Sequence, residues 1–109
     1  MPKSPPSTVA QVRDVFPKLG ELSDQVLFGD VWERKGLSKR DRSLVTVAAL
    51  VAGYRTNELP YHLERALDNG VSRDEIREIF MQVSIYAGIP AGVDSFRIAR
   101  EVFAELDKG

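Results

Sequence analysis

The stretch Ser38-Lys-Arg-Asp-Arg-Ser-Leu-Val-Thr-Val-Ala-Ala-Leu-Val-Ala-Gly53 constrains the architecture more than any other part of the chain. Ser38, with Asp41 three residues later, is a short form of the capping box and predicts a helix that starts there. From Leu44 to Gly53 that helix is apolar all round. A helix without a polar face has to be buried on every side. In a chain of 109 residues one bundle can scarcely cover it, so part of its surface is expected to lie against a second copy of the protein.

On either side of this stretch the apolar period stays helical. Val9, Val12, Val15 and Phe16 mark one face of a short first helix from Thr8, broken by Pro17 and Gly20. A second helix is expected over about Glu21 to Arg34, with Leu22, Val26, Leu27, Val31 and Trp32 on its inner side and Gly36 as its stop. Phe28 and Trp32, four apart, read as core. Leu59, Leu63, Ala66 and Leu67 define a fourth helix beginning near Glu58, with Pro60 tolerated in its first turn and Gly70 ending it. Ser72 and Glu75 form a full capping box for a fifth helix, whose buried stripe is Ile76, Ile79, Phe80, Val83 and Ala87. Gly88-Ile-Pro90 interrupts, and a sixth helix carries Phe96, Ala99, Val102, Phe103 and Leu106 to the end. No stretch alternates with period two long enough for a sheet. The expected fold is all-α: a compact bundle of about six helices over residues 8–109, preceded by a flexible arm over residues 1–7.

Composition removes several functions. The chain has no cysteine, which excludes disulfides, thiol catalysis and thiolate metal sites. Its single histidine, His62, excludes a metal site that needs two imidazoles within one chain, and no metal is expected. A net charge of −1 gives no support for nucleic-acid binding. The longest apolar run, Leu44 to Gly53, is about half the ~18–20 residues of a membrane span. The proline-rich N-terminus lacks the apolar segment of a signal peptide, so a soluble cytoplasmic protein is expected.

The charge is uneven. Residues 34–55 hold six basic side chains against Asp41 alone, a local charge of +5. Two readings fit: a solvated surface paired with the acidic later helices, or arginines that face a cleft and bind carboxylates bidentately. Glu58 and His62, four apart, share one helix face. A carboxylate there is expected to raise the imidazole pKa and fix its tautomer, making a general acid or base near neutrality. The same spacing also occurs as plain helix-surface electrostatics. Arg55 extends the stripe if helical, and Tyr86 precedes the Gly-Ile-Pro break, placed either to enter the same cleft or to serve as an interface phenol.

Phe28-Gly-Asp-Val-Trp32, Leu37-Ser-x-x-Asp-Arg-Ser43, Asn57-Glu-Leu-Pro-x-His62, Ala66-Leu-x-Asn-Gly70, Ser72-x-x-Glu75-Ile-x-Glu78 and Tyr86-Ala-Gly-Ile-Pro90-Ala follow one another in order. In these motifs the chain resembles the carboxymuconolactone decarboxylase family, from about Phe28 to the C-terminus. The resemblance implies the AhpD-like all-α fold and assembly into trimers or hexamers. The family's alkylhydroperoxidase branch uses a C-x-x-C at seven and four residues before the histidine, where this chain has Arg55 and Glu58. Thiol peroxidase chemistry is thereby excluded. The decarboxylase branch keeps Glu-x-x-x-His, which Glu58 and His62 match. Its resemblance implies conversion of 4-carboxymuconolactone to 3-oxoadipate enol-lactone in protocatechuate degradation.

That reaction needs no metal or organic cofactor, because the unsaturated lactone accepts the electrons released with carbon dioxide. The dienolate oxyanion must be stabilised and a proton delivered to carbon. On this reading His62, oriented by Glu58, protonates carbon or polarises the carbonyl. Arg42 and Arg55 hold the carboxylates of the small anionic lactone, and Tyr86 adds a hydrogen bond. The alternatives are a non-catalytic, oligomeric small-molecule-binding member of the family, or a hydrolase or isomerase of another lactone.

Overall fold

Every helix leaves its first amides and last carbonyls without partners inside the helix, and local side chains decide where that is tolerable. In the computed structural model, which describes residues 7–109, those signals produce six α-helices and no strand among the described residues. They are α1 (Thr8–Val12), α2 (Pro17–Leu22), α3 (Lys39–Ala52), α4 (Leu59–Asp68), α5 (Arg73–Ala87) and α6 (Ile89–Lys108). Most of the expected arm lies outside the described residues. Its last member, Ser7, caps α1, the hydroxyl accepting from the Ala10 amide at 3.2 Å. The Ser38 hydroxyl accepts from the Asp41 amide, and the Ser72–Glu75 capping box is complete in both directions. Arg40 also reaches Glu75, tying the start of α3 to the start of α5.

Two helix ends share one geometry. After α4, Gly70 takes the left-handed conformation at φ +99, and the Gly70 and Val71 amides donate back to Leu67 and Ala66. After α3 the Tyr54 and Arg55 amides donate to Val51 and Leu50 in the same pattern, but here a tyrosine occupies the left-handed position, at φ 56. That is uncommon for a bulky residue. The expected interruption at Gly88-Ile-Pro90 narrows to Gly88, because Ile89 and Pro90 already belong to the first turn of α6.

The core is made by α3 to α6. Val47 and Val51 of α3, Leu59, Leu63 and Ala66 of α4, and Ile76 and Phe80 of α5 meet Ala91, Ala99 and Phe103 of α6. α5 packs along α6, and α3 lies against both α4 and α5.

One expectation needs correction. The second helix is not continuous: α2 passes into a π-helical turn, Ser23–Phe28, and then a 3₁₀ turn, Val31–Glu33. Its supposed inner residues Leu22, Val26, Leu27 and Val31 are exposed, because only the sequence neighbours of α2 pack on it to any extent. Within one chain α3 is buried on one side only. Val47 and Val51 are fully buried, but Val45 is 61% exposed and Ala49 and Ala52 face outward.

α5 and α6 approach closely at Gly92, where an added Cβ would lie 1.7 Å from the Ser84 hydroxyl. That hydroxyl donates to the Phe80 carbonyl at 2.6 Å and loses its bond if it turns away. Gly92→Ala is therefore expected to lower the free energy of urea unfolding by about 1–3 kcal/mol. The same substitution in a Ser84→Gly background is expected to cost less.

Candidate functional site

α4 presents two adjoining faces. Leu59, Leu63 and Ala66 are fully buried in the core. His62, Arg65 and Asn69 follow one another at three and four residues, so they share the next face. They line a cavity of about 210 Å³, close to the volume that holds one small ring. The opposite wall comes from the irregular segment before α3. The Trp32 ring lies nearly parallel to the imidazole, 13° off, with centroids 6.4 Å apart, and Phe28 stacks on Trp32 in turn. Tyr61 meets His62 edge-on at 5.1 Å. Asn69 also donates to the buried Ser43 hydroxyl at 3.0 Å, which fixes the end of α4 against α3.

Two cations line the same cavity as the imidazole. Lys39, in the first turn of α3, pairs with Glu33 at 2.8 Å, and Arg65 pairs with Asp68 at 2.6 Å. Both carboxylates are more than half exposed, so the pairs are weak and exchangeable for a carboxylate that enters the cavity. The Arg65 guanidinium also sits 5.3 Å from the centre of the Tyr61 ring.

Burial pushes the His62 pKa down; Glu58 opposes this by charge and Arg65 reinforces it. The expected rise is thus corrected: removal from water outweighs the neighbouring carboxylate. No hydrogen bond joins Glu58 to His62 among the described residues. The Glu58 carboxylate instead accepts from the Thr8 hydroxyl of α1, 2.5 Å from both oxygens.

The other expected residues do not line this cavity. Arg42 turns to the preceding loop, donating from Nη2 to the Arg34 carbonyl at 2.9 Å, while its Nε is buried without a partner among the described residues. Arg55 is exposed just beyond α3, and Tyr86 is 83% exposed near the end of α5. The basic segment does pair with acidic groups, and the member that reaches the cavity is Lys39. Phe28 and Trp32, read as core, are half-buried cavity wall instead. Arg65 and Asn69 could have been found from their spacing to His62; the approach of Trp32 and Lys39 leaves no local mark. A larger groove of about 760 Å³ lies between α5 and α6 and holds no histidine. Among the described residues no cluster of acidic groups and histidine could hold a metal, and no helix is long and apolar enough to cross a membrane.

The sequence pattern of the carboxymuconolactone decarboxylase family matches residues 17–101. The chain is 46% identical over 79 residues to the 4-carboxymuconolactone decarboxylase of Acinetobacter baylyi, covering 72% of this chain and 59% of that one. It is 32% identical over 90 residues to a nitrosuccinic acid decarboxylase of Metarhizium robertsii, covering 82% and 63%. An uncharacterised 15.0 kDa protein of Paracoccus denitrificans is 31% identical over 86 residues, covering 77% and 64%. The chain therefore spans about three fifths of the length of the relatives it matches.

The depressed pKa links His62 to stability. The folded chain holds the imidazole neutral, whereas the unfolded chain binds a proton near pH 6.5. The unfolded state then takes up more protons below that pH, so this contribution is full above pH 6.5 and is lost as pH falls through the folded pKa. Urea midpoints measured from pH 7.5 to 5 should fall more steeply for the natural chain than for His62→Phe.

Proposed function

The chain belongs to the carboxymuconolactone decarboxylase family, and from that membership we propose that it is a cofactor-free carboxy-lyase acting on 4-carboxymuconolactone or a closely similar unsaturated lactone acid. The observation that carries this reading is the His62–Trp32 stack in a cavity for one small ring, with Lys39 and Arg65 beside it. The working setting is aromatic-compound degradation in the cytoplasm.

Both relatives with a named activity are decarboxylases, though of different acids. Loss of carbon dioxide from either acid leaves an electron pair that needs an acceptor: an unsaturated lactone carbonyl in one, a nitro group in the other. In each case the charge arrives on oxygen. A site serving such chemistry has to hold carboxylate, place the conjugated system flat, and meet a developing oxyanion.

The cavity has parts for all three tasks. A planar lactone fits against the Trp32 and His62 rings. Lys39 and Arg65, released from Glu33 and Asp68, receive its carboxylates. The carbon–carbon bond to the departing carboxylate breaks, and its electron pair moves through the ring double bond onto the carbonyl oxygen. An imidazole N–H is the donor for that oxyanion. A proton then joins carbon, so one proton is consumed per turnover. His62 is held neutral in the free protein, but the negative charge of a bound dianion favours its protonated form. It is therefore the group to supply that proton, with Glu58 supporting the imidazolium by charge. Arg42, Arg55 and Tyr86 serve this cavity only if a second copy brings them to it. We propose such self-association, as a trimer or hexamer; the outward apolar face of α3 supports it.

Carbon dioxide release from 4-carboxymuconolactone tests the reading. His62→Ala is expected to lower kcat at least about 100-fold, the usual scale for a lost acid–base group. Lys39→Ala and Arg65→Ala are each expected to raise KM about tenfold or more, the loss of one charged hydrogen bond. Turnover by His62→Ala at the natural rate, or inactivity of the natural chain on every muconolactone, would refute it.

A further inference from the structure

Two surfaces of this chain lack partners among the described residues and complement each other. The first is the segment from Phe16 to Leu27. Phe16 is 57% exposed and Val26 51%, and Leu19, Leu22 and Leu27 are exposed as well. Among the described residues α2 packs to any extent only on α1 and the π-helical turn that follows it. Monomeric proteins rarely leave such an apolar strip in water. The strip also carries more acid than base: Asp14, Glu21, Asp24 and Asp30 lie in it or next to it, against Arg13 and Lys18. Arg13 pairs with Asp24 at 2.9 Å and Lys18 with Glu21 at 3.4 Å, both pairs exposed and exchangeable.

The second surface is the groove of about 760 Å³ between α5 and α6. Its floor is aromatic: the fully buried Phe80 and the half-buried Phe96 meet edge-on at 5.1 Å, and the buried Phe103 lies beneath the Arg73 guanidinium at 4.7 Å. Phe96 with the exposed Val93 leaves apolar surface open. Arg73, Arg77, Arg97 and Arg100 rim it, against Asp107 as the one carboxylate in the lining. Arg73, Arg77 and Arg97 rest on exposed aspartates that an incoming acid can replace. Apolar floor with a basic rim thus faces apolar strip with an acidic rim, on the same chain.

We propose that the Phe16–Leu27 strip of one copy docks in the α5–α6 groove of the next, and that this contact completes the His62 cavity. The contact is head-to-tail, so repetition closes a ring when the rotation permits. Its link to the site lies in what brackets the strip. Thr8, in the helix before it, holds Glu58, and Phe28 and Trp32, just after its end, form the aromatic wall against His62. Seating the strip on a neighbour fixes both flanks at once; among the described residues α2 packs to any extent only on α1 and the turn that follows it.

The inference rests on the self-association proposed above and fails separately from it. The absence of cysteine makes disulfide cross-linking clean. Leu19→Cys lies on the strip, and Ala104→Cys lines the groove. Oxidising a mixture of the two single variants is expected to give a disulfide-linked pair containing one of each, while either variant alone gives little. In parallel, Arg77→Glu with Arg100→Glu is expected to reduce the solution mass toward that of one chain, 12.2 kDa, and to red-shift the emission of Trp32, the only tryptophan. Should that double variant lose its helical signal, the cross-link decides alone. A natural chain that assembles but gives no mixed pair, or cross-links Ala104→Cys mainly to itself, overturns the docking surface and leaves self-association standing. A natural chain that stays a monomer at micromolar concentration overturns both.

Discussion

The rotation of α4 about its own axis is the constraint on which the site depends. Leu59, Leu63 and Ala66 are fully buried and can be so in only one orientation of the helix. Each buried leucine is worth about 1.5–3 kcal/mol, so turning α4 by one residue would exchange two leucines for polar groups and lose more than the pairs at its surface could return. With that orientation held, His62, Arg65 and Asn69 follow without further adjustment. The imidazole comes to rest at the edge of the core, covered by Trp32 on one side and Tyr61 on another.

The chemistry of His62 follows from that position. A surface imidazole next to Glu58 would hold its proton more tightly. A half-covered one pays for charge in lost hydration, and Arg65 adds repulsion from the same helix. Glu58 meanwhile is engaged by Thr8 from the other end of the described chain, not by the imidazole. Such a group is uncharged at rest and becomes a proton donor when an anion arrives, which suits a site that must first admit carboxylate and later protonate carbon.

The same chain is richer in apolar residues than one bundle can cover. α3 turns Val45 outward, and α2 leaves Leu19 and Leu22 in water. The irregular path from Ser23 to Glu33 belongs to this imbalance. Among the described residues α2 packs to any extent only on α1 and the π-helical turn that follows it, so no other element supports a continuous helix there. The segment winds through a π-helical and a 3₁₀ turn instead, and sets Phe28 and Trp32 against α4. Turns of this kind often mark functional positions in proteins.

Much of the fold was legible in the residues because helix boundaries are local. Ser38 and Ser72 meet their own amides three residues on, Gly70 takes the left-handed bend, and the i, i+4 rows of α4 to α6 need no distant partner to be read. The missing cysteine was equally decisive, since no packing can supply a thiol. His62 could be singled out as the one imidazole, and Glu58 as its neighbour on the helix. Which cations share a cavity with that imidazole could not be read, because Lys39 comes to it from another helix, whereas Arg42 turns back to its own loop. Nor could the direction of its pKa, which depends on how much water Trp32 and Tyr61 exclude. Local hydrogen bonding and composition are properties of short stretches; cavities and desolvation arise only where distant stretches meet.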